Sequence, residues 1–315
     1  MEDVQEPVKK SRWVVVLLWL VPAWLLISAG AGIWMYFQAK KDQERKQSVK
    51  FAKAVSAKSI ADDLNKLAKV IGPRNPAVNE GIGLTRAVSW IEGNIGPSNT
   101  GYTVKQIPGP SQWPILHADL RGTDENAPAL WVVCAYDTPA DASPGEIRDA
   151  TAVVAQIAAT QAIAGQSFPA TVHFVFLPHG NETRSGSAPF DRPKGDEASR
   201  KAASDREKAC LDKLTTLVRE AGPTSSILVL RNFSAGQFVS ISTPDTTNHV
   251  LSIVPSSFGT LSSDHDDEMP VNALYQAGLP AVRVSSSAAE EADEDPLTPI
   301  CGQLVELIRR LASKK

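Results

Sequence analysis

The chain has 315 residues, a net charge of −3 at pH 7 and 43% apolar side chains, with an isoelectric point near 6.0. That length suits one large core or one and a half small ones, and without a basic excess there is no nucleic-acid footprint. Cys134, Cys210 and Cys301 are too scattered for a disulfide framework, and with no C-x-x-C pair the cysteine-rich structural zinc classes are excluded.

Residues 1–12 form a short polar tail. From Trp13 to Phe37 the chain carries no charged side chain. At a helical rise of ~1.5 Å per residue this run is long enough to cross a hydrocarbon core of ~30 Å. Aromatics stand at both ends (Trp13, Trp34, Tyr36, Phe37), where headgroup layers would lie. Pro22 is tolerable in a membrane helix. Ala29-Gly30-Ala31 has the form of a signal-peptide cleavage site, but Ile33 to Phe37 continue the apolar run beyond it. The expectation is an uncleaved, single-pass anchor that attaches the protein to a membrane. The side is not settled by charge. Lys40, Lys41, Arg45 and Lys46 outnumber Lys9, Lys10 and Arg12, whereas the short basic tail suits a signal anchor that exports its C-terminal domain.

Residues 38–56 are polar and lysine-rich and read as a juxtamembrane linker or helix. Residues 57–315 read as one α/β domain. Helices are predicted over Ala57 to Ile71, ended by Gly72-Pro73, and over Asn79 to Asn94. Strands are predicted at Tyr102 to Ile107, Ile115 to Leu120 and Ala129 to Ala135, the first two as an antiparallel hairpin at one edge. LWVVCA is apolar throughout, as a strand buried on both faces must be. A buried crossover helix comes next, N-capped by Asp149 and ended by Gly165. Thr171 to Leu177 is the next central strand, and a charged helix covers Glu197 to Ala221. Strands are predicted at Ser226 to Leu230, near Phe238 to Ile241, at Val250 to Val254 and at Ala281 to Val284, with a last helix at Pro299 to Ala312. Alternating strands and helices imply a mixed, mostly parallel central sheet flanked by helices. In such a sheet, sites sit at the carboxyl ends of the strands, which singles out the loops after Ala135, after Leu177 and around His265.

Those loops resemble, in order and spacing, the zinc exopeptidases of peptidase family 28 of the metallo (M) class, two-zinc aminopeptidases related to glutaminyl cyclases. The resemblance runs through IADDLNKLAKVIGPRN, ILHADLRGTDENAPALWVVCAYDT, GEIRDATAVVAQIAA, FVFLPHGNETRSGS and SSDHDDEMPVNALYQAGLPAVRV. It implies the zinc-exopeptidase fold and an extracytoplasmic domain. It also implies a metal pair held by two histidines, a glutamate and two aspartates, with a further glutamate as general base.

The chain departs from that pattern at almost every position. The family's His-x-Asp is Ala135-Tyr136-Asp137, and no histidine lies between His117 and His173. The bridging aspartate falls on Arg148, or on Asp149 after a one-residue slip. The Glu-Glu pair falls on Gly180-Asn181, flanked by His179 and Glu182. The next aspartate falls in Arg231-Asn232-Phe233, with no carboxylate between Glu220 and Asp245. His265, in Ser263-Asp264-His265, is the one family ligand retained. Arg148 cannot lose its proton, and paired with Asp137 or Asp264 it would stand in for lost zinc charge.

The expected binding pocket therefore comprises Asp137, Arg148, Asp149, His179, Glu182, Asp264 and His265. No metal and no cofactor is expected, and the protein is read as a catalytically silent, membrane-anchored aminopeptidase-like fold that binds or scaffolds a peptide or protein. The alternative is an active zinc-dependent exopeptidase with a rearranged or single-metal site, in which Glu182 is the candidate base. No G-x-S-x-G elbow, Walker loop or G-x-G-x-x-G motif after a strand occurs, which removes the sequence signatures of serine hydrolases and nucleotide binders.

Overall fold

The computed structural model describes residues 12–51, 53–183, 196–231, 233, 239–244, 248, 250–253, 261–262, 269–286 and 297–313, of which 12–18, 21, 41–51, 148, 253, 261, 262 and 269 are described in backbone alone. Asp264 and His265 lie outside the described residues, as does the side chain of Arg148. The chain divides into two compact units, Met1–Lys46 and Gln47–Lys315.

The described residues of the first unit, 12–46, all belong to α1 (Arg12–Phe51), which contains the whole run Trp13 to Phe37 with Pro22 inside it. Its described apolar side chains are exposed, among them Trp19, Trp24, Leu26 and Trp34. Among the described residues no helix is long and apolar enough to cross a membrane.

The second unit begins with α2 (Ala57–Asn65), capped by Ser56, whose hydroxyl accepts from Ser59 N. The predicted helix to Ile71 continues as a π turn over Lys66–Ile71 rather than as α-helix. There the Leu67 carbonyl accepts from both Gly72 N and the Arg74 side chain, so a buried arginine joins the helix end. α3 (Ile82–Ile95) is preceded by a single 3-10 turn, Asn79–Gly81.

The strands are β1 (Val104–Ile107), β2 (Ile115–Leu120), β3 (Ala129–Ala135), β4 (Val172–Leu177), β5 (Thr224–Leu230), β6 (Val239–Ser242), β7 (Leu261–Ser262) and β8 (Ala281–Ser286). Between them run α4 (Arg148–Ala162), α5 (Glu197–Ala221), α6 (Val250–Ile253), α7 (Met269–Gln276) and, last, α8 (Leu297–Ser313). The described strands form one eight-stranded sheet in the order β1-β2-β4-β3-β5-β8-β6-β7. β4, β3, β5 and β8 are parallel neighbours, and β1 and β2 pair antiparallel at one edge as expected. Alternation along the strands builds two cores. Leu130, Val132, Cys134, Phe174, Phe176 and Leu228 pack under α2, α3, α4 and α8. Trp131, Val133, Val175, Leu177, Ile227 and Val229 pack under α5 and α7.

Two local expectations are corrected. Val250–Ile253 is a helix and not the start of a strand, and Val254 lies outside the described residues. Asn248 accepts from Val250 N through its side chain and from Leu251 N through its carbonyl, which turns the chain into α6. Asp149 is not the N-cap of α4 either. Ile147 holds that position, and Asp149 is a buried residue of the first turn.

Candidate functional site

The carboxyl ends of β3, β4 and β5 converge on one polar network. Asp137, two residues beyond β3, is fully buried. Its Oδ2 accepts from the backbone N–H groups of Gly180 and Asn181 at 3.0 and 2.8 Å. Asn181, beyond β4, donates its side-chain amide to the Asp137 carbonyl at 3.0 Å. Arg231, the first residue after β5, donates Nη1 to Asn181 Oδ1 at 2.7 Å and to the Gly180 carbonyl at 2.9 Å. Burial raises the Asp137 carboxyl well above its ordinary range, against the opposing pull of the two backbone donors.

A second cluster adjoins the first. His179 is fully buried in the turn after β4. Its Nδ1 faces Glu182 Oε1, and its Nε2 lies 2.6 Å from Ser111 Oγ. Arg206, from α5, reaches Glu182 Oε2 through Nη2 at 2.5 Å and through Nε at 3.2 Å. Burial works to raise the Glu182 carboxyl, but the hydrogen bonds from His179 and Arg206 outweigh it and hold the group below its ordinary range. The adjacent Glu207 accepts from Thr183 N at 2.9 Å and from Thr183 Oγ1 at 2.7 Å. A small cavity of about 20 Å³ lies beside these groups, walled by Val133, Leu177, Leu214, Val229 and Leu274, with Arg231 and Glu207 at its polar side.

Of the expected pocket residues, Asp137, His179 and Glu182 come together. Asp149 lies on α4, where its backbone carbonyl accepts from Arg74 Nη2 at 3.0 Å. Glu182, the candidate base of the enzyme alternative, is hydrogen-bonded to His179 and ion-paired with Arg206. The cation standing beside the Gly180-Asn181 turn is Arg231, a residue that sequence reasoning passed over as a missing carboxylate. Ser111, Arg206, Glu207 and Arg74 were missed as well. Glu207 was legible, because it shares the buried stripe of α5 with Ala203, Cys210, Leu211, Leu214 and Val218. Ser111 carried no such signal, being 68 residues before its partner.

Among the described residues the donor set does not fit a metal pair. Among the described residues no three of His, Cys, Asp and Glu are grouped to hold one. Both nitrogens of His179, both oxygens of Glu182 and Oδ2 of Asp137 already have partners on the protein. A guanidinium stands among them, and it would repel a second cation.

No protein-family model matches the sequence, and no curated protein matches it. The fold has solved counterparts. The LapA aminopeptidase of Legionella pneumophila superposes with a TM-score of 0.60 at 13% identity, covering 87% of this chain and 75% of that one. Glutaminyl cyclase of Tannerella forsythia gives 0.56 at 10% identity, covering 84% and 100%. A Zn-dependent exopeptidase from Parabacteroides distasonis gives 0.53 at 10% identity, covering 82% and 99%. The resemblance read from the loops thus extends to the architecture, a metallopeptidase-like α/β fold.

Proposed function

We propose that the protein is a membrane-attached member of the aminopeptidase fold whose site does not use zinc, and that it binds or scaffolds a peptide or protein at the carboxyl ends of the sheet strands. One observation carries this reading. Arg231 places a permanent cation 2.7 Å from Asn181 Oδ1, on the turn whose N–H groups donate to Asp137 Oδ2. Hydrogen bonds between the protein's own groups occupy the donors that zinc would otherwise take.

Membrane attachment is supported by the uncharged run Trp13 to Phe37 and by the exposure of its described apolar side chains. Fractionation tests it. The full chain is expected to sediment with membranes and to resist alkaline carbonate extraction, and a chain lacking 13–37 to appear in the soluble fraction.

Zinc content of the purified full chain, measured beside hydrolysis of aminoacyl reporter substrates, tests the site. The expected result is substoichiometric zinc and no chelator-sensitive aminopeptidase turnover. Stoichiometric zinc with such turnover would establish the alternative, a zinc-dependent exopeptidase with a rearranged site. That alternative needs His179 and Glu182 to leave Ser111 and Arg206.

A further inference from the structure

We propose that Ser111, His179 and Glu182 form a nucleophile, base and orienting acid, and that they transfer the acyl group of a carboxylic ester to water without a metal. The inference does not rest on the binding reading; it adds covalent chemistry to the same loops.

The geometry has the two contacts that an activated serine requires, nucleophile to base and base to orienting acid, and a cation on the acid. Ser111 Oγ is 2.6 Å from His179 Nε2, and His179 Nδ1 is hydrogen-bonded to Glu182 Oε1. Glu182 is held ionised by Arg206, whose Nη2 and Nε lie 2.5 and 3.2 Å from Oε2. A carboxylate can only accept a hydrogen bond. In the neutral ring, Nδ1 must therefore carry the proton, which leaves Nε2 bare and makes Ser111 the donor. This is the tautomer a general base needs. Burial follows the same division of labour. His179 and Glu182 are shut away from water, whereas Ser111 is only half-buried, on the loop before β2. The Trp113 ring meets the His179 ring edge-on, with centroids 6.1 Å apart, and helps fix its orientation.

The step balances on these groups alone. Ser111 Oγ bonds to the ester carbonyl carbon while its proton passes to His179 Nε2. The tetrahedral adduct collapses with cleavage of the bond to the alkoxy oxygen, and that oxygen leaves as an alcohol with the proton from His179. Water then attacks the acyl-serine, gives its proton to His179, and releases a carboxylic acid as Ser111 recovers the proton. An ester is the substrate class because an alkoxy group leaves more readily than an amine. Ser111 and His179 are the catalytic residues, and Glu182 and Arg206 position His179.

The test uses the full chain in detergent micelles, with a fluorophosphonate probe and p-nitrophenyl acetate, each with and without a metal chelator. The expected result is one phosphonyl adduct on Ser111, located by peptide mass spectrometry in the wild-type protein, together with chelator-resistant ester hydrolysis. Ser111→Ala and His179→Gln are expected to lower both by ~100-fold or more. Glu182→Gln is expected to shift the pH profile of labelling, which loss of a purely structural ion pair would leave in place. No adduct on Ser111 in folded wild-type protein, hydrolysis undiminished in Ser111→Ala, or labelling abolished by chelator would overturn the proposal. Zinc content is measured separately, so failure here leaves the metal-free binding reading standing.

Discussion

Arg231 Nη1 lies 2.7 Å from Asn181 Oδ1, and the amide of the same Asn181 lies 3.0 Å from the carbonyl of Asp137. One side chain thus joins the ends of three neighbouring strands, accepting from the residue after β5 and donating to the segment after β3. The same turn is fixed a second time, because the Gly180 carbonyl also accepts from Arg231 while the Gly180 N–H donates to Asp137. Cutting a buried arginine out of such a network leaves acceptors without donors. Arg231→Met is expected to destabilise the fold by about 2–4 kcal/mol, read as a lower midpoint in chemical denaturation. Arg231→Lys is expected to fall between the two, since an ammonium is not a planar fork.

The sheet was more legible than the site, for physical reasons. β3 is an apolar run and β4 is apolar but for His173, both long enough to announce themselves, and the periods of α5 and α8 are unbroken. The ends of Glu197–Ala221 came out as predicted because Asp196 caps one and Gly222 terminates the other. The π turn at Lys66–Ile71 and the turn at Val250 depend on Arg74 and Asn248, whose side chains act locally in ways no hydrophobic period records. The departures from the two-zinc pattern were visible as letters. The contacts among the residues that stand there were not, because Ser111, Arg206 and Arg231 meet His179, Glu182 and Asn181 only through the fold.

Arg74 makes a second prediction. The residue is 1% exposed. Nε donates to the Tyr136 carbonyl at 2.6 Å, Nη1 to Gly72 at 3.2 Å and Leu67 at 3.4 Å, and Nη2 to Asp149 at 3.0 Å. Burial lowers its pKa to about 10, with the charges of Asp149 and Asp137 opposing, so it stays charged at neutral pH. It ties the π turn, the β3 end and α4 together. A lysine has one nitrogen to serve those directions, and Arg74→Lys is expected to cost about 2–3 kcal/mol by thermal or urea unfolding.

His117 and His173 supply a pH dependence. His117 Nε2 and His173 Nδ1 lie 3.0 Å apart, with Trp131 stacked on His173 at a centroid distance of 4.1 Å. Burial, and after it the facing His117, lowers His173 to about 4, with Asp119 opposing and Lys105 adding to the shift; burial lowers His117 as well. Below its ordinary value near 6.5 the unfolded chain therefore binds a proton that the folded chain refuses until about pH 4. Protonation favours unfolding, so stability is full above about pH 6.5 and falls as pH drops through that window. His173→Phe keeps a ring against Trp131 and removes the titration. Its unfolding free energy is expected to vary less with pH between 6.5 and 4 than that of wild type, and a wild-type profile flat over the same range would contradict the pairing.

Two glycines of α3 give opposite expectations for one substitution. A Cβ on Gly83 would lie 2.0 Å from the Pro73 carbonyl oxygen and 3.3 Å from Arg74 Cα. Both neighbours are backbone, so relief requires moving the segment that carries Arg74, and Gly83→Ala is expected to destabilise by about 1–3 kcal/mol. A Cβ on Gly93, in the same helix, meets nothing within 4 Å. There alanine only restricts the unfolded chain and improves helix propensity, so Gly93→Ala is expected to stabilise by about 0.5–1 kcal/mol. Measured in one denaturation series, the pair separates close packing from propensity. Equal effects at the two positions would mean that α3 does not lie against Pro73 as closely as these distances require.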